Sequence, residues 1–344
     1  MDSSVLTIVI ITASVALLFD VINGFHDAAN SIATVVSTRV LPPKYAVFWA
    51  AFFNFIAMFV FAPKVADTIS KIVKINPSDP AYLYVILAGL IGAIVWDLLT
   101  WWWGLPVSSS HALIGGLAGA GITYAGFSNI RWEKLIETMA FIPMAPIIGA
   151  ILGFGIMLLV YWIFKKWHPQ KVDKVFRKGQ LFSAAMYSLG HGGNDAQKTM
   201  GILVALLVAA NIYTHDTKLS FESWDTAWII VSCHLAMAIG TALGGWRIVK
   251  TMGMKLTKLK PVHGFCAETA GAATIFLATN LGIPVSTTHT IAGSIIGVGS
   301  VSNLAGIKWK IAFRIVLSWI VTIPFSGLVA AIVLYIIKLL HPSF

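Results

Sequence analysis

Apolar runs about as long as a lipid bilayer is thick recur along the whole chain, and no other feature restricts the fold more. A helix needs about 20 mostly apolar residues to cross the hydrocarbon core of a bilayer. The runs are Val5–Leu18, Ala46–Phe61, Ala81–Trp96, Pro146–Phe164 and Ile311–Leu340. Only 11% of the residues are charged, whereas a soluble domain carries about 25%. We therefore predict an all-α integral membrane protein whose surface contacts the lipid bilayer.

The chain contains an internal repeat. Gly104–His111 returns as Gly282–His289, and Gly24–Ala28 returns as Gly192–Ala196. The repeated segments extend over the whole apolar part of the chain. We divide it into a first repeat, a short basic joint and a second repeat, at residues 1–164, 165–179 and 180–344.

Each repeat offers five membrane crossings, so we predict about ten crossings in all. In the first repeat they are 4–38 (interrupted), 45–63, 81–103, 107–127 and 135–164. Because five is an odd number, the second repeat must enter the membrane in the opposite orientation. Inverted-topology repeats are typical of secondary transporters.

The distribution of basic residues supports this inverted arrangement and orients it. If the joint is cytoplasmic, the inside loops hold 16 of the 24 lysine and arginine residues, as the positive-inside rule requires. These loops are 39–44, 165–179, 247–262 and 303–314. We expect both termini on the outer side of the cell membrane (plasma or inner membrane) and no cleaved signal peptide. The net charge of +10 is explained by these loops and does not indicate nucleic-acid binding.

Acidic residues inside the apolar runs are the first candidates for a functional site. They are Asp20, Asp27, Asp97, Asp195 and Glu268. An ionised carboxylate near the bilayer centre costs about 2.5 kcal/mol or more, so such residues face a wet cavity, an ion or a partner. Asp27 and Asp195 are equivalent in the two repeats, which indicates a symmetric site. Asp20 and Asp97 lack acidic counterparts, and the sequence leaves structural and functional roles equally open for them.

The segments around these two equivalent aspartates are too polar for a helix that faces lipid. They are Asn23–Asn30 and His191–Thr199, and we expect their glycines to break the helix. A broken helix frees carbonyl groups, which are tolerated at membrane depth only inside the protein or against a cavity. Together with Asp and Asn side chains they would offer hard oxygen ligands for Na⁺ or groups for proton exchange. The candidate cation-coupling residues are Asp27, Asn30, Asp195, Asn23 and Glu268, with Asp27 and Asp195 as metal ligands if the cation is Na⁺.

The two Gly-x-Pro-Val runs predict helix starts, because a proline is followed by a hydroxyl triplet that can cap the next helix. A helix N-terminus carries unpaired amide groups and about +0.5 charge, so it attracts anions. Two such starts related by pseudo-symmetry predict an oxyanion site. Lys198 can either pair with Asp195 or attract the anion, and we expect His111 and His289 to be mainly structural. The candidate anion-binding residues are Ser108, Ser109, Ser110, Ser286, Thr287, Thr288, Asn194, Lys198 and Thr199.

In these motifs the chain resembles the inorganic phosphate transporter (PiT) family of secondary transporters, whose duplicated signature centres on Gly-x-Asn-Asp. The second copy, Gly192–Asp195, matches that signature. The first copy has His26 at the usual asparagine position and keeps Asp27 and Asn30. The two Pro-Val-Ser runs match as well, and the resemblance covers nearly the whole chain.

The resemblance implies symport of inorganic phosphate with a cation, Na⁺ or H⁺, at a site formed by the motif segments, in a homodimer and without a cofactor. A sulfate-carrying branch of the same family makes sulfate the alternative substrate. We favour phosphate, because it carries a proton that it can donate to a carboxylate near neutral pH, whereas sulfate carries none. Two other classes are a passive anion channel and an intramembrane enzyme; for the latter, the chain lacks H-E-x-x-H and G-x-S-x-G motifs. The sequence does not choose between a rocking and an elevator motion.

Overall fold

The computed structural model describes residues 3–74, 76 and 79–340. These residues form α-helices joined by short 3₁₀ or π turns, without a β-strand among them. The helices are α1 (Ser3–Ser37), α2 (Pro43–Ile56), α3 (Lys64–Ser70), α4 (Ala81–Trp103), α5 (Ser109–Ala125), α6 (Trp132–Phe164), α7 (Pro169–Ala209), α8 (Trp224–Leu243), α9 (Trp246–Lys250), α10 (Pro261–Asn280), α11 (Thr287–Asn303) and α12 (Trp309–Leu340). The predicted all-α class is therefore confirmed.

Five of these described helices are long and apolar enough to cross a membrane: α1, α4, α6, α8 and α12. The bent pair formed by α2, its 3₁₀ extension and α3 turns by 85° and would add a sixth. The longest described helix, α7, carries the second polar motif and is not among these five. The total of about ten crossings and the inverted orientation stay predictions. The two chain ends, predicted to be outside, fall on residues 1–2 and 341–344, outside the described part of the chain.

The predicted interruption of the two polar motif segments is wrong. Both motifs lie inside continuous helices, α1 and α7. Their glycines serve close packing: a Cβ on Gly24 would lie 2.3 Å from the Met237 carbonyl oxygen, and one on Gly192 would lie 2.5 Å from the Asn54 carbonyl oxygen. A continuous helix also keeps its backbone hydrogen bonds satisfied at membrane depth. The side chains of these motifs, and not freed carbonyl groups, are therefore the groups available as ligands.

The joint at 165–179 is mostly helical and not a loop. The helix α7 begins at Pro169, where a proline at the first helical position costs no hydrogen bond. The His168 side chain caps this start by accepting a hydrogen bond from the Gln170 amide at 3.4 Å. The basic residues of the joint thus lie on the first turns of the helix that carries the second motif.

Two helical hairpins, α4–α5 and α10–α11, place helix starts in the interior of the bundle. Each hairpin turns at a glycine with positive φ, which is +66° at Gly104 and +74° at Gly282. After each glycine the next amide bonds back into the helix, with Leu105 N to Thr100 O and Ile283 N to Ala278 O both at 2.9 Å. A short extended segment follows, and then α5 or α11 begins. The two predicted helix starts are therefore confirmed.

The last long helix of each half covers the hairpin of the other half. The helix α12 packs on α5, and α6 packs on α11. Both contacts use glycines: a Cβ on Gly119 would lie 2.2 Å from the Gly327 carbonyl oxygen, and one on Gly297 would lie 2.1 Å from the Ala150 carbonyl oxygen. Small residues let helix backbones approach closely, as is usual in membrane bundles. The other faces of α6 and α12 carry exposed apolar residues such as Ile151, Leu158 and Leu328.

The two motif helices, α1 and α7, pack against each other at the centre of the molecule. At one end the Thr38 hydroxyl donates to the Gln180 side chain at 2.9 Å, and at the other end Asp20 lies beside Thr199. The helices are therefore antiparallel, and Asp27 and Asp195 lie between these two contacts on their helices. This contact brings the two equivalent motifs to one place.

Candidate functional site

The two helix starts are capped by the first hydroxyl of each triplet. Ser108 Oγ accepts a hydrogen bond from the His111 amide at 3.3 Å, and Ser286 Oγ accepts one from the His289 amide at 3.2 Å. Each of these two serines accepts the capping bond with an oxygen lone pair and keeps its own hydroxyl proton to donate. Both therefore stay predicted anion ligands, together with the second and third hydroxyl residues of each triplet.

The start of α11 is bonded to the acidic residues of both motifs. Thr287 Oγ1 donates to Asp195 Oδ2 at 3.0 Å, and Thr288 Oγ1 lies 3.5 Å from Asp27 Oδ1. The Asn30 amide donates to both hydroxyls, at 3.2 and 2.9 Å. All five residues are at most 2% exposed. The structure thus brings three of the five predicted cation residues, Asp27, Asn30 and Asp195, and part of the predicted anion residues into one network.

Lys198 links this network to both helix starts. Its ammonium group bonds to the Asp195 carboxylate and to Ser110 Oγ at the start of α5, and it donates to the Val285 carbonyl oxygen at 3.0 Å. The sequence left open whether Lys198 pairs with Asp195 or attracts an anion. The structure shows the pairing of the ammonium group with the carboxylate. The attraction of an anion stays a prediction, which the position of the ammonium group between the two starts supports.

Besides the predicted ligands, the site holds two histidines of the motif segments, His26 and His191, and two residues that the sequence does not single out, Asn54 and Thr100. His26 Nδ1 lies 2.8 Å from Asp27 Oδ1, while its Nε2 lies 3.2 Å from Thr100 Oγ1. His191 Nε2 lies 3.3 Å from Asp195 Oδ2, and its Nδ1 lies 3.2 Å from Asn54 Oδ1. A lone amide inside an apolar run was the available signal for Asn54. Thr100 gave no signal, because threonine is common in membrane helices.

Asp97 belongs to the same polar centre. It interacts electrostatically with His26 and Asp27, and Ser109 lies beside it. Ser109 Oγ and the Asp97 carboxylate are hydrogen-bond neighbours, and neither has another hydrogen-bond partner in the described part of the chain. Ser109 is therefore a hydroxyl at a helix start that faces a carboxylate.

Four predicted site residues lie elsewhere. Asn194 donates to Thr279 Oγ1 at 2.9 Å and faces α10. Glu268 accepts hydrogen bonds from Thr34 at 2.6 Å and from Gln180 at 2.9 Å, and also from Ser183. Because Thr34 is seven residues beyond Asp27 on α1, Glu268 lies about 10 Å along the helix from the central network. The remaining two, Asn23 and Thr199, lie beside Asp20.

The two equivalent histidines that follow the hydroxyl triplets meet between the hairpins. The rings of His111 and His289 have centroids 4.8 Å apart, and His289 stacks on Trp319 at 3.8 Å. Both side chains are buried. These contacts fit the structural role expected for this pair, because they join the two helix starts across the molecule.

The central network has ligands suited to a cation. One ligand atom from each of Asp27, His191 and Asp195 lies within 4.8 Å of the others. The Asn30 side-chain oxygen is buried and has no hydrogen-bond partner in the described residues. Carboxylate, amide and hydroxyl oxygens are the ligands that hard cations prefer. These residues therefore fit Na⁺ through Asp27, Asp195 and Asn30.

A cavity of about 540 Å³ opens beside the hairpin tip of α10–α11. It is lined by Lys64, Lys71, Lys218 and Gly282 among others. The lysines at its wall give it a positive character, although Lys71 is paired with Asp67 at 2.7 Å. None of the predicted anion-binding residues lines this cavity.

A buried polar centre with helix ends inside an apolar helical bundle is the architecture of membrane transporters. The side chains that meet here include hydroxyls and an ammonium group suited to an oxyanion, and carboxylates suited to a cation. The comparisons with known proteins agree with this class.

The model of the Phosphate transporter family matches residues 23–330. A probable low-affinity inorganic phosphate transporter of Rhizobium meliloti is 53% identical over 93% of each chain. The protein of the same description from Bacillus subtilis is 43% identical over 98% of each chain. Among solved structures, the fold is similar to one titled "The sodium-dependent phosphate transporter", with a TM-score of 0.86, 24% identity, and coverage of 97% of this chain and 99% of that chain.

This chain therefore belongs to the phosphate transporter family. The match covers most of the chain and confirms the resemblance found in the duplicated motifs. It also confirms that the protein is not an enzyme, since family and relatives are transporters. The chain is a multi-pass membrane protein of a family that transports phosphate.

Proposed function

We propose that this protein is a secondary active transporter that carries inorganic phosphate by symport with Na⁺. The names of the relatives support phosphate as the substrate. The solved neighbour is titled as sodium-dependent, and the oxygen ligands of Asp27, Asp195 and Asn30 fit the same ion. H⁺ is the other possible coupling ion, and the two histidines that contact the aspartates would then take part.

The observation that carries this proposal is the direct bonding of the α11 start to both motif aspartates. Thr287 donates to Asp195 at 3.0 Å, and Thr288 lies 3.5 Å from Asp27. An anion at these hydroxyls would lie close to two carboxylates. Two unit charges about 4 Å apart interact by about 4 kcal/mol at an effective dielectric constant of about 20. A cation held by the carboxylates removes this repulsion, so anion and cation bind together.

Phosphate fits this site better than sulfate. Hydrogen phosphate retains a proton that it can donate to Asp27 or Asp195, whereas sulfate has none to donate. A buried carboxylate facing an anion without such a proton is left with an unfavourable contact. The central network contains a single lysine, Lys198, so positive charge alone does not compensate for that contact.

We further propose that the two halves form inverted repeats with about ten crossings, a cytoplasmic joint at 165–179 and both termini outside the cell membrane. The antiparallel contact of α1 with α7 supports inversion, because these helices carry equivalent motifs. Each hairpin is covered by the last helix of the other half, with α12 on α4–α5 and α6 on α10–α11. This symmetric packing also supports inversion. The resemblance to the family implies a homodimer. A rocking or an elevator motion would then expose the site to each side in turn.

Uptake of labelled phosphate into proteoliposomes tests the proposal. We expect an inward Na⁺ gradient to drive accumulation above equilibrium, and an equal choline gradient to have no effect. Accumulation driven by a pH gradient alone would assign the coupling to H⁺. Phosphate entry without accumulation or counterflow would indicate a channel, and equal inhibition by excess phosphate and excess sulfate would remove the preference for phosphate.

A further inference from the structure

The cavity beside the tip of the α10–α11 hairpin gathers lysines on the side of the membrane where basic residues are rare. In the proposed topology, 16 of the 24 lysine and arginine residues lie in the inside loops. Lys64, Lys71 and Lys218 belong to the outside segments, yet all three line this one cavity. The positive-inside rule therefore does not explain these lysines, and they require another explanation.

The positive charge of this cavity is only partly neutralised. Among the described lining residues Asp67 is the one carboxylate, and it pairs with Lys71 at 2.7 Å. Lys64 and Lys218 form no ion pair within the described part of the chain. The cavity measures about 540 Å³, whereas a water molecule takes about 30 Å³ of liquid. The space can therefore hold a small anion together with several water molecules.

Lys64 lines the cavity and also contacts the tip of the hairpin. Its ammonium group donates to the Asn280 carbonyl oxygen, at the end of α10, at 2.9 Å. One turn further along α3, Thr68 Oγ1 donates to the Gly282 carbonyl oxygen at 2.8 Å. An ammonium group has three protons to donate, so Lys64 can bind an anion in the cavity while it keeps its bond to the hairpin. An anion held there would lie directly beside the hairpin tip.

The extended segment at this hairpin tip connects the cavity with the central network. Gly282 lines the cavity, and Val285, three residues later, accepts a hydrogen bond from the Lys198 ammonium group at 3.0 Å. An extended chain advances about 3.3 Å per residue, so these two residues are at most about 10 Å apart. The cavity is therefore a separate place from the central network, and the α10–α11 tip contacts both.

We propose that this cavity is an outer vestibule, in which Lys64 and Lys218 bind inorganic phosphate weakly before it passes the hairpin tip. The two unpaired ammonium groups repel a cation and attract an anion, and the anion that this family transports is phosphate. A cleft lined by charges of one sign raises the local concentration and the association rate of an oppositely charged substrate. The role of the vestibule in transport rests on the proposed function, but the binding of phosphate in it does not.

Reversal of one vestibule charge tests the role in transport, by uptake of labelled phosphate into intact cells that express the full chain. At low ionic strength and constant Na⁺ we expect Lys218→Glu to raise the KM for phosphate roughly threefold or more without a change in Vmax. Added choline chloride should reduce the difference, because salt screens exposed charges. Lys338→Glu, an exposed lysine on the same proposed side that does not line the cavity, is the matched control. An unchanged KM in Lys218→Glu, or an equal rise in the control, would contradict this role.

Protection of an introduced cysteine tests the binding itself on the purified full-length protein. Ser70 is half-buried and lines the cavity, and the native cysteines are buried. We expect inorganic phosphate at low ionic strength to slow the reaction of Ser70→Cys with a neutral maleimide, relative to chloride at the same ionic strength. The protection should persist in choline without Na⁺ and should be lost when Lys218→Glu is added. Lys171→Cys, in the basic joint, is the control and should show no protection. Absence of protection at Ser70→Cys would overturn the proposal.

The two measurements also separate this proposal from the proposed function. Protection of Ser70→Cys in a protein that does not accumulate phosphate under a Na⁺ gradient contradicts the transport proposal alone. Na⁺-driven accumulation without protection, and with an unchanged KM in Lys218→Glu, contradicts the vestibule alone.

Discussion

At the scale of single residues, Thr287 shows how the anion and cation ligands are joined. Its hydroxyl donates to Asp195 and accepts from Asn30, while its carbonyl accepts a hydrogen bond from Tyr187 at 2.8 Å. One residue at a helix start thus fixes the carboxylate that a cation would use. A change at either aspartate should therefore alter the response to the cation, and a change at Asp195 also leaves the buried Lys198 ammonium group without its carboxylate partner.

We predict that Asp27→Asn or Asp195→Asn abolishes Na⁺-driven accumulation of phosphate. Asparagine keeps the size of the side chain but loses the charge that attracts the cation. The measurement is uptake into proteoliposomes with and without an inward Na⁺ gradient, with Asp216→Asn as the control for loss of an exposed carboxylate. If both variants respond to the gradient as the wild type does, these two aspartates do not couple transport.

Ser109 allows a test of the helix start with little effect on the fold. Because the Asp97 carboxylate is the one hydrogen-bond neighbour of its Oγ among the described residues, Ser109→Ala should lower thermal stability by no more than the worth of one hydrogen bond, about 1 kcal/mol. Loss of one hydrogen bond to phosphate, worth about 0.5–1.5 kcal/mol, should weaken phosphate affinity roughly two- to twelvefold. Thr123→Ala, at the far end of the same helix, is the control. Unchanged affinity in Ser109→Ala would remove this hydroxyl from the site.

Site residues that recur at equivalent positions of the two repeats can be predicted from the sequence. Asp27 and Asp195 are equivalent, and the structure brings both to one helix start. Glu268, Asn23 and Thr199 were grouped with them because polar residues in apolar runs look alike in a sequence. Their contacts depend on which faces of α1, α7 and α10 meet, and this information is absent from the composition of any single segment.

At the scale of helices, the hairpins were predictable and the motif helices were not. A Gly-x-Pro-Val-Ser pattern forms a turn and a helix cap through local interactions, so both can be predicted without knowledge of tertiary contacts. The polar, glycine-containing segments at 23–30 and 191–199 were interpreted as breaks. In the structure Gly24 and Gly192 contact the backbones of α8 and α2, and such neighbours cannot be seen in the sequence.

The glycine contacts between α5 and α12 give a prediction for stability. A Cβ on Gly119 would lie 2.2 Å from the Gly327 carbonyl oxygen, so Gly119→Ala must push the helices apart. Overpacking of this kind costs about 1–3 kcal/mol, and we expect a lower Tm in detergent. Gly155→Ala is the matched control, because a Cβ there meets nothing within 4 Å. Equal Tm values for the two variants would contradict the close contact.

At the scale of the whole molecule, the two halves depend on each other. The hairpin of each half is covered by the last helix of the other, and α1 and α7 contribute equivalent motifs to one centre. Neither half therefore holds a complete site. This arrangement fits a transporter in which the halves move relative to each other around a central site.

Labelling of introduced cysteines can test the proposed orientation of the protein in the membrane. The native cysteines, Cys233 and Cys266, are buried, so introduced cysteines should dominate the signal. We expect Asp216→Cys to react with an impermeant maleimide in intact cells, and Lys171→Cys to react only after permeabilisation. Both positions are exposed. The reverse pattern would invert the topology.

The most direct test of a site shared by anion and cation is the affinity for phosphate with and without Na⁺. The dissociation constant of phosphate is measured by calorimetry at constant pH and ionic strength, in NaCl and in choline chloride. We predict that Na⁺ tightens phosphate binding roughly tenfold or more, within the range of 1–3 kcal/mol typical of coupled sites, and that Asp195→Asn removes the difference. Equal phosphate affinity of the wild type in the two salts would contradict the shared site.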